Sequence, residues 1–194
     1  MAHFYGTRAI QVRVKKYINV LRQYKNSVDA RVTALSFWHF ILVFSVMTEV
    51  VKVIVGAVAS ILLSDPVERV PWSNTFNVED YIRLIFLAVC IGPLLETLFF
   101  QSFILFIMKK FFKNSPLFPI IISGIIFGIN HYYSSVYVVF MMFVGFLWAY
   151  GYENRIKSQN NPFFSIFLVH SITNSFSILA LFLMQHHSFH WRSM

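Results

Sequence analysis

Four polar residues stand out in this 194-residue chain as groups able to do chemistry: Glu96, His131, His170 and Asn174. Each lies in an apolar stretch, and Asn174 follows His170 by four residues, one turn later on the same helix face. A carboxylate at membrane depth costs several kcal/mol unless it is paired or hydrated, so Glu96 implies polar partners or a water-filled cavity. A carboxylate beside an imidazole can deprotonate a water. A second imidazole with a carboxamide can donate hydrogen bonds to the resulting oxyanion. That set makes a hydrolase needing no serine or cysteine nucleophile. The same Glu96, His131 and His170 could instead hold a divalent metal such as zinc, as in sites of two histidines and one carboxylate. Spacing separates neither option, and the HExxH pattern that sets two histidines on one helix does not occur. Cys90 is the single cysteine, which leaves no internal disulfide and no cysteine-based metal site.

The composition says what must position these groups. Hydrophobic residues make up 57% and charged residues 12%, and the mean hydropathy is +0.63. A soluble domain carries about twice that charged fraction, so an ordinary cytosolic enzyme is excluded. Disorder is excluded as well, because 23 Phe and 9 Tyr exceed what an unfolded chain keeps in water. The reading is an all-α, polytopic membrane helix bundle with about five transmembrane spans and an N-terminal amphipathic helix. The expected spans cover about 34–64, 81–108, 117–133, 136–152 and 162–184. Residues 65–80, with two prolines and four acids, read as a loop outside the cell.

The net charge of +8 reflects topology rather than nucleic acid. Segments 1–31, 109–116 and 153–161 hold 12 of the 16 Lys and Arg, the asymmetry expected of cytoplasmic segments facing anionic lipid. The expectation is a cell-membrane, multi-pass protein with a cytoplasmic N-terminus. Residues 1–33 form a basic interfacial segment and residues 34–194 a transmembrane domain. Within 8–25, Ile10, Val14, Tyr17, Ile18, Leu21 and Tyr24 recur at helical spacing, as in a helix lying on headgroups. Glu49 and Lys52, three residues apart in the first span, can neutralise each other.

Depth supports a shared site. At about 1.5 Å per residue from the cytoplasmic ends, Glu96 lies ~20 Å deep, His131 ~21 Å, His170 ~12 Å and Asn174 ~18 Å. Four polar residues on three spans thus fall within one or two turns of one level.

The motifs also resemble a known family. Leu94-Leu95-Glu96-Thr97-Leu98-Phe99-Phe100-Gln101 is similar to the first motif, EExxxR, of the CAAX protease and bacteriocin-processing family (CPBP, also called Abi). Phe127 to His131 matches its second motif, FxxxH, and His170 to Asn174 its third, HxxxN. The resemblance covers about residues 80–182. It implies an intramembrane endopeptidase acting on a peptide or membrane-protein substrate, with Glu96 and His131 activating water and His170 and Asn174 stabilising the oxyanion. Members of this family were long classed as metalloproteases, while a metal-free glutamate mechanism suits the architecture better. Eukaryotic members cleave prenylated CAAX proteins, and many bacterial members accompany bacteriocin immunity or processing. Thr97 replaces the second glutamate and Gln101 the arginine, which keeps a degenerate immunity protein or binding scaffold as the alternative. Two weaker signals remain. His186, His187 and His190 cluster near the C-terminus, and Gly124 and Gly128 form a GxxxG suited to close packing beside His131.

Overall fold

The computed structural model describes residues 2–63, 78–113 and 115–192, with side chains for 14–63, 79, 80, 82–113 and 115–183. Most of the 65–80 loop and the side chains of His186, His187 and His190 lie outside these residues. Among the described residues there are helices and no strands. They fall into two compact units, Met1–Leu35 and Ser36–Met194.

The first unit is one helix, α1 (Ala2–Thr33). The second begins at α2 (Phe37–Leu63), where the Ser36 carbonyl accepts from the Phe40 N–H at 2.9 Å and starts the helical ladder. Next comes a continuous helical stretch that changes winding four times. It runs through α3 (Val78–Ile85), the π-helical π1 (Phe86–Ile91), α4 (Gly92–Glu96), the π-helical π2 (Thr97–Ile104) and α5 (Leu105–Phe111). Three further helices follow: α6 (Leu117–Ile129), α7 (Ser135–Lys157) and α8 (Pro162–Arg192). Among the described residues, four helices are long and apolar enough to cross a membrane: Phe37–Leu63, Ile82–Phe111, Ser135–Lys157 and Pro162–Leu183.

The segment expected to be a span at 117–133 forms a helix of only 13 residues. At ~1.5 Å per residue that is about 20 Å, short of the ~30 Å hydrocarbon core. The chain then turns back through residues 130–134 into α7, so reversal comes early and His131 stands at the turn itself. The apolar run extends to Tyr133 and so reads as a longer span than the backbone makes.

The hairpin of α6 and α7 packs backbone against backbone. A Cβ built on Gly128 would lie 2.7 Å from the Met142 nitrogen and 2.8 Å from the Val138 oxygen. One on Gly124 would lie 2.8 Å from the Phe146 nitrogen. The GxxxG thus serves packing within the chain. Ser134 caps α7, its Oγ accepting from the Tyr137 N–H at 3.1 Å. At the other end of α7, Arg155 is fully buried. Its Nε donates to the Asn160 carbonyl (3.0 Å) and to Ser165 Oγ (3.1 Å), and its guanidinium lies 4.9 Å from the centre of the Phe40 ring. These contacts tie the α7–α8 connection to α2. A Lys109–Glu153 ion pair at 2.7 Å joins α5 to α7.

Candidate active site

Glu96 closes α4, and the reason for that short helix lies three residues earlier. Pro93 has no N–H, and its ring disfavours an ordinary turn, so the helix around it widens. The Gly92 N–H bonds back to Leu87 O, the wider π pattern. The Ala88 carbonyl is then left without an intrahelical donor: its α partner, Gly92, is used, and its π partner would be Pro93. Asn174 of α8 supplies the missing hydrogen, Nδ2 donating to Ala88 O at 2.7 Å. A buried orphan carbonyl is costly, so this bond locks α8 against the broken span. π segments inside α-helices recur at functional positions because they re-aim side chains, and here they bracket Glu96 on both sides.

His131 follows the end of α6. Its Nδ1 bonds the Phe127 carbonyl at 2.8 Å. A carbonyl only accepts, so Nδ1 carries the proton and neutral His131 presents a bare Nε2. That Nε2 lies 3.7 Å from Glu96 Oε2. His170, on α8 and almost wholly buried, places its own Nε2 3.8 Å from the same oxygen. The His170 Nδ1 is buried without a hydrogen-bond partner, so the Nε2–H tautomer, whose hydrogen faces the carboxylate, is the favourable one. The two imidazoles therefore have opposite characters, His131 an acceptor and His170 a donor toward one point.

Aromatic rings fix both histidines. Phe127, fully buried, has its ring centre 4.6 Å from that of His131 and 6.2 Å from that of His170. Trp148 on α7 packs on His170 at 4.2 Å. Its indole N–H donates to Thr48 Oγ1 of α2 at 2.9 Å, and that hydroxyl donates to Phe44 O at 2.7 Å. Lys52 of α2 bonds Glu49 at 2.9 Å, the pair expected from spacing, and also reaches the Thr173 carbonyl at 3.5 Å and Ser177 Oγ at 3.3 Å on α8. Of these supporting groups, Pro93 had a readable signal, a proline in mid-span. Thr48, Trp148 and the reach of Lys52 to α8 had none.

The structure thus brings Glu96, His131 and His170 together, whereas Asn174 reaches the neighbouring backbone of π1. Thr97 and Gln101, which depart from the EExxxR pattern, are fully buried, and neither Thr97 Oγ1 nor either amide atom of Gln101 has a hydrogen-bond partner. The donor types at Glu96, His131 and His170 suit zinc, whose ligands lie about 2.0–2.2 Å from the metal. Among the described residues no three His, Cys, Asp or Glu side chains are grouped so as to hold a metal ion.

An all-helical membrane bundle with a carboxylate and two imidazoles set among its spans is the class of protein that this fold and site define. A family model described as type II CAAX prenyl endopeptidase Rce1-like matches residues 79–176, just over half of the chain, and the chain belongs to that family. The match includes all three motifs and leaves out α1 and α2. No curated protein and no solved structure matches the chain. The family is one of CAAX-type intramembrane proteases, and with four candidate spans the protein is a multi-pass membrane protein.

Proposed function

We propose that this protein is an intramembrane endopeptidase in which Glu96 and His131 activate water without a covalent intermediate. One observation carries the reading. A single buried carboxylate oxygen, Glu96 Oε2, has no hydrogen-bond partner and faces the Nε2 atoms of both histidines at 3.7 and 3.8 Å. These separations exceed a direct hydrogen bond and are short enough for a water to bridge Glu96 to either imidazole.

The chemistry follows from the tautomers. Glu96 takes a proton from water while bare His131 Nε2 accepts its other hydrogen and orients it. The hydroxide oxygen bonds to the scissile carbonyl carbon, and the carbonyl π electrons move to oxygen. The Nε2–H of His170 donates to that oxyanion in a site largely shielded from water, where such a bond is strongest. Collapse of the tetrahedral intermediate breaks the C–N bond as the proton held by Glu96 passes to the leaving amine. Asn174 contributes by holding π1, and with it the approach to Glu96. The lysine and arginine asymmetry supports a cytoplasmic N-terminus, which places residues 109–116 and 153–161 on the same side.

The test is cleavage of a fluorogenic prenylated CAAX peptide by the purified chain in vesicles, run for one turnover in ¹⁸O-water. Direct attack by water puts ¹⁸O into the new carboxylate of the product and none into the peptide containing Glu96. Label in Glu96 on the first turnover indicates a carboxylate nucleophile instead. The departures at Thr97 and Gln101 favour a second reading, a non-catalytic immunity or scaffold protein of the same fold. That reading predicts binding of the peptide with no cleavage at all.

A further inference from the structure

α1 carries none of the residues assigned to the reaction, and its surface has its own logic. In its described part, Val14, Tyr17, Ile18, Leu21, Tyr24 and Val28 recur with the three- and four-residue spacing of one helix face and so fall on one stripe. That stripe is open: Tyr17 is 70% exposed, Leu21 67% and Tyr24 72%. On the helix wheel, Lys25 falls within the stripe between Val14 and Ile18, Lys15 and Arg22 flank one edge and Arg31 the other, with Lys16, Asn19 and Gln23 opposite. The first 31 residues hold seven Lys and Arg against one acid, Asp29, and Lys25 takes that acid at 2.7 Å.

An exposed apolar face of this kind needs a cover. A second copy pairing through it would bring two strings of cations together at the stripe's edges, and like charges at that range repel. A bilayer with anionic headgroups meets both requirements, since apolar and aromatic side chains enter the acyl boundary while flanking lysines and arginines reach phosphate. Only three residues separate the end of α1 from the start of α2, itself long and apolar enough to cross a membrane. The helix is thus held near a surface at high effective concentration, and weak intrinsic affinity suffices.

We infer that α1 binds an anionic lipid surface through the stripe Val14–Ile18–Leu21–Val28, with Lys15, Arg22 and Arg31 on the headgroups. The full chain tests this in a Cys90→Ser background, with a nitroxide on Ile18→Cys or Gln23→Cys, in vesicles of phosphatidylcholine alone or with about a third phosphatidylglycerol. In anionic vesicles the Ile18→Cys label should become accessible to oxygen and shielded from a soluble nickel chelate, and the Gln23→Cys label should show the reverse. Each cation near such a surface changes the bound-to-free ratio about fivefold. Lys15→Gln, Arg22→Gln and Arg31→Gln together should therefore lower it roughly a hundredfold and keep the helix, since glutamine is a good helix former. Salt at about 1 M, with a Debye length of ~3 Å, should act in the same direction. An Ile18→Cys label equally wet in both compositions overturns the inference. So does a label shielded regardless of lipid charge with spin–spin broadening, which would show a second copy on the stripe. Cleavage of the CAAX peptide is measured separately and bears on neither result.

Discussion

The span that carries Glu96 and the hairpin that carries His131 are built on opposite principles. In the hairpin, Gly124, Gly128 and Gly145 let α6 and α7 touch backbone to backbone, and half of the most apolar stretch of α7 is buried, against 17% for Ile82–Phe111. In the Glu96 span, Pro93 breaks the ladder between two π segments, and Thr97 and Gln101 are buried with polar atoms unpaired. One region is a closely packed frame. The other departs from regular geometry around Glu96. The difference teaches that the hairpin positions His131 and, through Trp148, packs against His170, while the irregular helix aims the carboxylate and Asn174 ties it to α8.

The largest expected effect is on chemistry. His170→Ala removes the oxyanion donor and should lower kcat on the CAAX peptide about 10²–10³-fold. The check is turnover per folded molecule, so that loss of packing on Trp148 is counted separately. An unchanged kcat would leave the frame without its catalytic role.

Stability separates the two regions next. Gly128→Leu drives a side chain into the backbone of α7 and should destabilise the hairpin by about 1–3 kcal/mol or more, read by thermal unfolding in detergent. A leucine tolerated there at wild-type stability would contradict the close packing. In the other region, Asn174→Ala leaves the Ala88 carbonyl unpaired at a cost of about 1–3 kcal/mol. Pro93→Ala restores a backbone donor, so the double variant should lose less than the sum of the two singles. If Asn174→Ala instead keeps full stability and loses only rate, Asn174 is an oxyanion donor and not a tie. The smallest effect is expected at Gln101. Gln101→Met removes two unpaired buried polar atoms at similar volume and should leave stability unchanged or slightly raised.

Much of this arrangement was legible in the residues. The scarcity of charge gave the helical membrane bundle, and the order of Glu96, FxxxH and HxxxN gave three groups that do lie together. What escaped was set by backbone. The length of α6 did not show, because Ile129 to Tyr133 reads as apolar span whether it winds on or turns. The partner of Asn174 did not show either, since it depends on a carbonyl freed by Pro93 eighty-one residues earlier. Likewise, nothing in the types of Thr48 and Trp148 announces that α2 steadies His170 through an indole N–H.

The account stands or falls on whether Glu96 is the base. Glu96→Gln keeps the shape of the side chain and most of its hydrogen bonding but cannot take a proton from water. In vesicles holding equal amounts of folded wild type and variant, cleavage of the prenylated CAAX peptide should drop by about 10²–10⁴-fold, the usual contribution of a positioned general base. Cleavage by Glu96→Gln at the wild-type rate would contradict the central claim and leave a membrane bundle whose polar cluster serves another purpose.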